Sequence, residues 1–194
     1  MNLIKTIVLS ATLILSTSPL FAKSEKKVEY LGLFSMKEKS YMIGTGENAV
    51  EIKRVMTSCA KNKGFFQPFY PVEGVHTVTE AEMLKALNDK DSIVVDMRIT
   101  EHYERGTIPT AINIPYGDIE LHMDKFGCKE VDSNWDCSNA IKVYGFCNGP
   151  VCAQSPIAIK VMVKNGFPAD KIYYYRGGMF TWSGLGLTTV PGEF

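Results

Sequence analysis

The segment AIKVYGFCNGPVCAQSPIAIKVMVKNG, residues 140–166, decides the fold of this chain. It begins with a mostly apolar run, AIKVYGF, which is typical of a strand buried on both faces of a parallel sheet. It ends with SPIAIKVMVKNG, whose apolar spacing predicts a helix. We expect Ser155 to cap that helix and Pro156 to take its first position, where the missing N–H costs nothing. The residues between, CNGPVCAQ, form a loop, so the segment predicts a strand, a loop and a helix in succession.

The same alternation of strand and helix extends to both sides of this segment. Residues 77–89 predict a helix in which Thr79 and Glu82 form a capping box, and SIVVDM at residues 92–97 predicts a second buried strand. The other predicted elements are a helical turn in ITEHYERG, a short strand in AINIP, a helix-like segment in YGDIELHMDKF, a strand in KIYYY and a final helical turn in GMFTW. Such alternation indicates an α/β fold with a parallel sheet.

The chain divides into three predicted regions, which are a signal peptide at residues 1–22, an N-terminal extension and linker at 23–74, and a main domain at 75–194. The first region has an early positive charge at Lys5, a mostly apolar run over 7–15, and Ala22 before the polar residues KSEKK. The apolar run is shorter than the roughly 20 residues that span a bilayer. We therefore expect cleavage after Ala22, a periplasmic or secreted protein, and no stable membrane span after cleavage.

The predicted extension has two parts. Residues 28–55 contain scattered β-branched and aromatic residues with Gly44 and Gly46 at a turn, which predicts one or two hairpins. Residues 64–75 hold two prolines and two glycines, which is typical of a linker or a surface strap.

The charge balance argues against nucleic acid as a partner. The chain has 21 basic and 21 acidic residues, and the predicted signal peptide removes only Lys5 from this count. A protein with so small a net charge lacks the basic surface that binds a phosphate backbone.

Cys147 lies where the chemistry of the predicted fold is expected. It follows the AIKVYGF strand, and ligands of open α/β sheets bind at the carboxyl ends of the strands. A loop containing Gly149 can wrap its N–H groups around the sulfur, and the following helix directs the positive end of its dipole towards it. These features predict a reactive cysteine that favours the thiolate. The alternative is a small cysteine buried in the core.

Three segments carry a family resemblance: VVDMRITEHYERGTIPTAINIP at 94–115, VYGFCNGPVCAQSP at 143–156 and IYYYRGGMFTWSGLG at 172–186. In order and spacing they resemble the signatures of rhodanese-like domains. The matching residues are Asp96, Arg98, Gly106, Ile108, Pro109, Ala111, Cys147, Gly177, Gly178 and Trp182. The resemblance implies about five parallel strands flanked by helices, and a cysteine, here Cys147, that accepts a sulfane sulfur as a persulfide. It also implies two partners, a small sulfur donor and a thiol acceptor that is a small molecule or a protein.

The predicted substrate loop is slightly longer than the usual loop of this family, which leaves room for a donor larger than, or different from, thiosulfate. Besides the two cysteines it comprises Asn148, Gly149, Pro150, Val151, Ala153, Gln154 and Ser155. Related cell-cycle phosphatases have loops of this length, but theirs end in an arginine that holds phosphate. No residue of 148–154 is charged, so phosphatase activity is disfavoured. Arg98 or Arg176 could help to hold an anionic donor. The favoured interpretation is that both arginines are structural, in ion pairs or bound to carbonyl groups.

Cys152 leaves the reaction type open. As a resolving thiol it could attack a persulfide or sulfenate on Cys147 and leave a disulfide between the two residues. The chain would then be a thiol-disulfide oxidoreductase rather than a sulfurtransferase. A third alternative is a carrier or binding module that holds the persulfide for a partner without turning over. Cys152 could also be a packing residue of the loop.

The other three of the five cysteines have structural interpretations. Cys128 and Cys137 bracket the insertion CKEVDSNWDC and predict a structural disulfide. Cys59 is left over in the extension. No close Cys-x2-Cys pair is present, and the three histidines show no metal-ligand spacing, so no metal and no cofactor are predicted. Among the histidines, only His102 is expected to approach the loop.

Overall fold

A computed structural model describes residues 40–53 and 65–193 of the chain. The predicted signal peptide and Cys59 therefore lie outside the described residues, as does part of the predicted extension. Over the described ranges, no helix combines the length and the apolar character that crossing a membrane requires.

In chain order the elements are β1 Ser40–Ile43, β2 Val50–Lys53, β3 His76–Val78, α1 Glu80–Ala86, β4 Ser92–Asp96, α2 Thr100–Glu104, β5 Ile112–Asn113, β6 Lys129–Val131, β7 Asn134–Asp136, β8 Lys142–Phe146, α3 Gln154–Lys164, β9 Ile172–Tyr175 and α4 Gly178–Gly184. Short 3-10 helices occupy Gly46–Asn48, Ile119–Phe126 and Ala169–Lys171.

The central sheet contains five strands in the order β3, β9, β8, β4, β5, and every neighbouring pair is parallel. Two of its three interior strands, β8 and β4, are the two apolar runs that the sequence predicts as buried strands. Because parallel strands have to be covered on both faces, such runs are apolar throughout rather than alternating. The predicted α/β fold with five parallel strands is confirmed.

Helices cover both faces of this sheet, and alternate residues of each strand point to opposite layers. Val143 and Tyr174 pack in one hydrophobic cluster with α3 and the 3-10 helix at Ile119–Phe126. Tyr144 and Tyr175 pack in a second cluster with α1 and α4. The catalytic candidate Cys147 follows β8 directly and so emerges at the carboxyl edge of the sheet, between these layers.

The start of α1 agrees with the sequence, whereas the start of α3 does not. Glu82 accepts hydrogen bonds from the Thr79 backbone N–H at 2.9 Å and from its hydroxyl at 2.6 Å, as the capping box predicts. Helix α3 instead begins at Gln154, so the prediction that Ser155 caps it is wrong. The Ser155 hydroxyl donates to Cys147 Sγ across 2.9 Å, which removes it from any capping role. Pro156 is the third residue of the helix, so the prediction that it takes the first position is also wrong. It is tolerated there because the N–H groups of the first turn have no intrahelical partner.

Two hairpins stand apart from the central sheet. Strands β1 and β2 pair antiparallel, which confirms a hairpin within residues 28–55. Strands β6 and β7 form the second hairpin, and the predicted disulfide between Cys128 and Cys137 joins its two ends.

Candidate active site

Cys147 is a buried thiol with two polar contacts. Only 1% of its surface is exposed. Its Sγ accepts a hydrogen bond from the Ser155 hydroxyl at 2.9 Å and donates one to the Cys152 carbonyl oxygen at 3.4 Å. The sulfur therefore sits inside its own loop, with α3 supplying one partner and the loop backbone the other.

The loop backbone is held through its carbonyl groups. The carbonyl oxygens of the four successive residues 147–150 each accept a backbone hydrogen bond. Met179 N–H donates to Cys147 at 3.0 Å, and Phe180 N–H donates to Asn148 at 2.9 Å. Cys152 N–H donates to Gly149 at 2.9 Å, and Gln67 N–H donates to Pro150 at 2.7 Å. Helix α4, the strap at residues 65–75 and the loop itself thus share in fixing its path. Three of these bonds use N–H groups from outside the loop, and the fourth uses the Cys152 N–H within it.

Gly149 is required by this path. Its φ is +150°, a conformation that residues with a side chain rarely adopt. A Cβ at this position would come within 2.9 Å of the Phe180 ring and within 3.0 Å of the Gly177 carbonyl oxygen. The Phe180 ring is therefore packed against the bare backbone of the loop.

The side chain of Asn148 connects the loop to the turn after β4. Arg98 Nη1 donates to Asn148 Oδ1 at 3.3 Å, and Asn148 Nδ2 lies 3.3 Å from His102 Nδ1. His102 is thus near the active loop, as the sequence predicts, and its contact is with a loop side chain.

Arg98 is committed to a buried ion pair. Its Nε and Nη2 donate to the Asp96 carboxylate at 2.9 and 2.6 Å, and its Nη2 also donates to the Gly106 carbonyl oxygen at 2.6 Å. The Thr107 hydroxyl donates to the same carboxylate at 2.8 Å. Both members of the ion pair are buried, where removing one partner strands the other charge. These contacts make Arg98 a support for Asn148 rather than a group free to hold a donor.

Arg176 is likewise engaged with protein groups. Its Nε and Nη2 donate to the Gln67 carbonyl oxygen at 3.3 and 3.0 Å, and its guanidinium lies 4.2 Å from the centre of the Phe66 ring. Since the Gln67 N–H in turn donates to the loop, Arg176 acts on the loop through the strap. Both arginines therefore hold the loop in place, Arg98 from an ion pair and Arg176 from a carbonyl oxygen. These are the structural roles that the sequence analysis favours over contact with a donor.

The protonation state of Cys147 differs from the sequence-based expectation. Burial raises the pKa of this thiol well above that of a free cysteine, and the adjacent Cys152 thiol raises it further. The hydrogen bonds from Ser155 lower it but do not compensate. The expected preference for the thiolate is therefore wrong for the resting loop, because no point of the sequence shows how completely the sulfur is desolvated.

Alkylation of Cys147 by iodoacetamide is expected to be about tenfold slower at about pH 7.5 than that of an exposed cysteine, because the thiolate is the nucleophile. The rate should then rise about tenfold for each pH unit, without a plateau by about pH 9, because the raised pKa moves the titration upwards. Peptide mass spectrometry that locates the label at Cys147 measures this. A plateau below about pH 8 would contradict the raised pKa.

Cys152 lies in the same loop as Cys147, and its carbonyl oxygen accepts a hydrogen bond from the Cys147 thiol. It is 6% exposed, and its Sγ donates to Gln154 Oε1 at 3.7 Å. Both residues are reduced thiols in the structure, whereas Cys128 and Cys137 are disulfide-bonded. The structure thus brings together all loop residues that the sequence selects, with Ser155 in a contact other than the predicted one.

Sequence analysis did not identify two residues of the site, Gln67 and Thr107. Gln67 lies in a stretch that reads as a linker, and Thr107 has only the polarity of an ordinary surface threonine. Gln67 contacts Pro150 and Arg176, and Thr107 contacts Asp96, which lies on another element. In the sequence, only Gly106 and the prolines at 68 and 71 indicate a turn near these two residues.

Comparison with known proteins agrees with this geometry. The model of the rhodanese-like domain family matches residues 79–185, a range that contains Cys147 and its whole loop. A mouse thiosulfate sulfurtransferase/rhodanese-like domain-containing protein 3 is 32% identical over 108 residues, covering 54% of this chain and 66% of the mouse protein. An adenylyltransferase and sulfurtransferase of Drosophila grimshawi is 29% identical over 119 residues, covering 60% of this chain and 24% of that protein.

Among solved structures, the thiosulfate sulfurtransferase of Pseudomonas aeruginosa aligns with a TM-score of 0.49 at 18% identity, covering 69% of this chain and 26% of that one. The curated relatives are matched over 24% to 66% of their own lengths, so this chain corresponds to part of each.

Proposed function

This chain belongs to the rhodanese-like domain family, and on that premise we propose that it is a sulfurtransferase. Cys147 accepts a sulfane sulfur from a small donor as a persulfide and passes it to a thiol acceptor, either a small molecule or a protein. The signal-peptide layout of residues 1–22 supports placing this activity in the periplasm or outside the cell.

One observation carries the proposal: the Cys147 sulfur lies at the carboxyl edge of the sheet and is hydrogen-bonded to Ser155 at the start of α3. The carbonyls of residues 147–150 in its loop are bonded to other groups. An anionic sulfur in such a place is stabilised by hydroxyl and N–H donors and by the helix dipole. The uncharged loop favours a donor bound mainly through these dipoles.

The reaction consists of two displacements. In the first, the Cys147 thiolate attacks the outer sulfur of the donor, and the sulfur–sulfur bond of the donor breaks. The electron pair of that bond leaves with sulfite, if the donor is thiosulfate, or with the polysulfide anion shortened by one sulfur, if the donor is a polysulfide. In the second, an acceptor thiolate attacks the terminal sulfur of the persulfide and regenerates the Cys147 thiolate. Because the pKa of Cys147 is raised, the thiol has to lose its proton before the first displacement.

Intact-mass spectrometry of the reduced mature protein tests this proposal. After treatment with thiosulfate or polysulfide we expect a gain of one sulfur atom, which is lost again on addition of a small thiol. Repeated release of sulfur to that thiol would indicate turnover. A stable persulfide that forms once and is not renewed from small donors would instead indicate a carrier.

A second candidate function is thiol-disulfide exchange, favoured by the contact between Cys147 Sγ and the Cys152 carbonyl oxygen. Here the Cys152 thiolate attacks the inner sulfur of the Cys147 persulfide, releases hydrogen sulfide and leaves a disulfide. A loss of two hydrogens with no sulfur retained, in the mass experiment above, would favour this function and reject the sulfurtransferase.

A further inference from the structure

Tyr174 is a buried tyrosine whose hydroxyl has no use in the resting structure. Its side chain is fully buried, and among the described residues it carries the buried side-chain oxygen that lacks a hydrogen-bond partner. A buried hydroxyl without a partner is costly and uncommon in folded proteins. Its presence in the centre of the sheet therefore calls for an explanation other than packing, which phenylalanine would satisfy at lower cost.

The position of Tyr174 in the fold brings it close to the sulfur site. Tyr174 pairs with Gly145 on β8, two residues before Cys147, and its side chain packs on the α3 face of the sheet. Helix α3 holds Ser155 in its first turn, and Ser155 is bonded to the Cys147 sulfur. The tyrosine therefore lies beside the strand that leads to Cys147 and on the face covered by the helix that carries Ser155. Burial and the Cys147 sulfur raise the pKa of Tyr174, so its hydroxyl stays protonated and able to donate.

We propose that Tyr174 is a positioning residue that acts on Cys147 through Ser155, its hydroxyl donating to Ser155 Oγ when the sulfur becomes an anion. Ser155 has one hydroxyl hydrogen, which it gives to Cys147 Sγ, and its oxygen retains lone pairs that can accept. Tyr174 is the donor at hand. A chain of two hydroxyls strengthens each hydrogen bond in it, because each donor polarises the next.

The inference explains why the hydroxyl is tolerated without a partner in the thiol form. A neutral Cys147 sulfur is a weak acceptor for the Ser155 hydroxyl, so a hydrogen bond from Tyr174 to Ser155 contributes least in the thiol form. A thiolate or persulfide anion is a strong acceptor for the Ser155 hydroxyl, so the added hydrogen bond from Tyr174 stabilises the reactive state alone. The unpartnered Tyr174 hydroxyl therefore lowers the stability of the resting protein, and the new hydrogen bond offsets this loss when the anion forms.

This inference rests on the proposed role of Cys147 as the reactive sulfur, but its test does not require sulfur transfer. The measurement is the rate of Cys147 alkylation against pH for wild type and Tyr174→Phe. We expect the variant to react about threefold to tenfold more slowly at each pH below the titration, which corresponds to a raised pKa of the thiol. Its melting temperature should be unchanged or higher, because an unpartnered hydroxyl has been removed.

Two further variants make the test specific. Tyr144→Phe removes the hydroxyl of a tyrosine on the opposite face of the sheet and should leave the alkylation profile unchanged. Ser155→Ala should slow alkylation by on the order of tenfold, and adding Tyr174→Phe to it should produce no further change, because the tyrosine acts through the serine.

An alkylation profile of Tyr174→Phe that coincides with that of wild type would overturn the inference. Additive effects of the two substitutions would also overturn it, because Tyr174 would then act by another route. If the Tyr174→Phe effect is found but Cys147 takes up no sulfur, the hydroxyl chain stands and the proposed sulfurtransferase function fails.

Discussion

A Cys147→Ser variant is expected to take up no sulfur from thiosulfate or polysulfide and to lose turnover by on the order of a thousandfold or more. Serine differs from cysteine by one atom, and its hydroxyl is not ionised at neutral pH. It cannot form the persulfide through which the sulfur passes. The buried position accepts the smaller atom with little change of fold, so loss of activity reports the chemistry.

The matched control is Cys152→Ser in the same loop. If Cys152 is a packing residue, this variant should keep the gain of one sulfur and the turnover. If Cys152 is a resolving thiol, it should keep the persulfide but lose both the loop disulfide and the release of hydrogen sulfide. Sulfur uptake that survives in Cys147→Ser would refute the assignment of the reactive cysteine.

Gly178→Ala is expected to destabilise the fold by about 3 kcal/mol or more, because it combines backbone strain with overpacking. Gly178 has φ +55° at the first position of α4. A Cβ there would lie 2.2 Å from the Cys147 carbonyl oxygen and 2.8 Å from the Gly149 nitrogen, both of them backbone atoms. Neither atom can move without displacing the loop, so the folded fraction should also lose sulfur uptake.

Urea unfolding measures the change in the free energy of unfolding, and Gly184→Ala is its control. Gly184 ends the same helix, and a Cβ there meets nothing within 4 Å. Adding a methyl group at this place should leave stability unchanged or raise it by about 0.5 to 1 kcal/mol. A Gly178→Ala protein as stable as wild type would show that the loop does not rest on α4 as the distances indicate.

The active loop is fixed from three sides, and this is what allows a small uncharged loop to hold a buried sulfur. Helix α4 binds the carbonyls of Cys147 and Asn148, the strap binds that of Pro150, and the Arg98 ion pair holds the Asn148 side chain. Preorganised dipoles of this kind stabilise a developing charge without rearranging when the charge appears. The N-terminal strap is therefore part of the site.

Local patterns account for most of what the sequence predicts correctly. The apolar runs of β4 and β8 predict buried parallel strands because a strand covered on both faces has no polar side to show. The Thr79 and Glu82 spacing predicts the start of α1, and the two cysteines at the ends of the insertion, nine positions apart, predict the Cys128–Cys137 disulfide. The position of Cys147 follows from the same logic, since the strand before it and the helix after it fix the loop.

The sequence by itself thus determined the order of the elements and the position of Cys147 in its loop, because each depends on neighbours a few positions away. The family followed from three such local segments found in the right order. Only the tertiary structure decided how those residues are used. Ser155 bonds to the sulfur and does not cap the helix, and burial by the surrounding layers raises the pKa of the Cys147 thiol. The sequence predicts Tyr174 as a packing residue of its strand, and only the structure shows that its buried hydroxyl lacks a hydrogen-bond partner. Desolvation and hydrogen-bond partners are set by segments distant in sequence, and no local pattern records them.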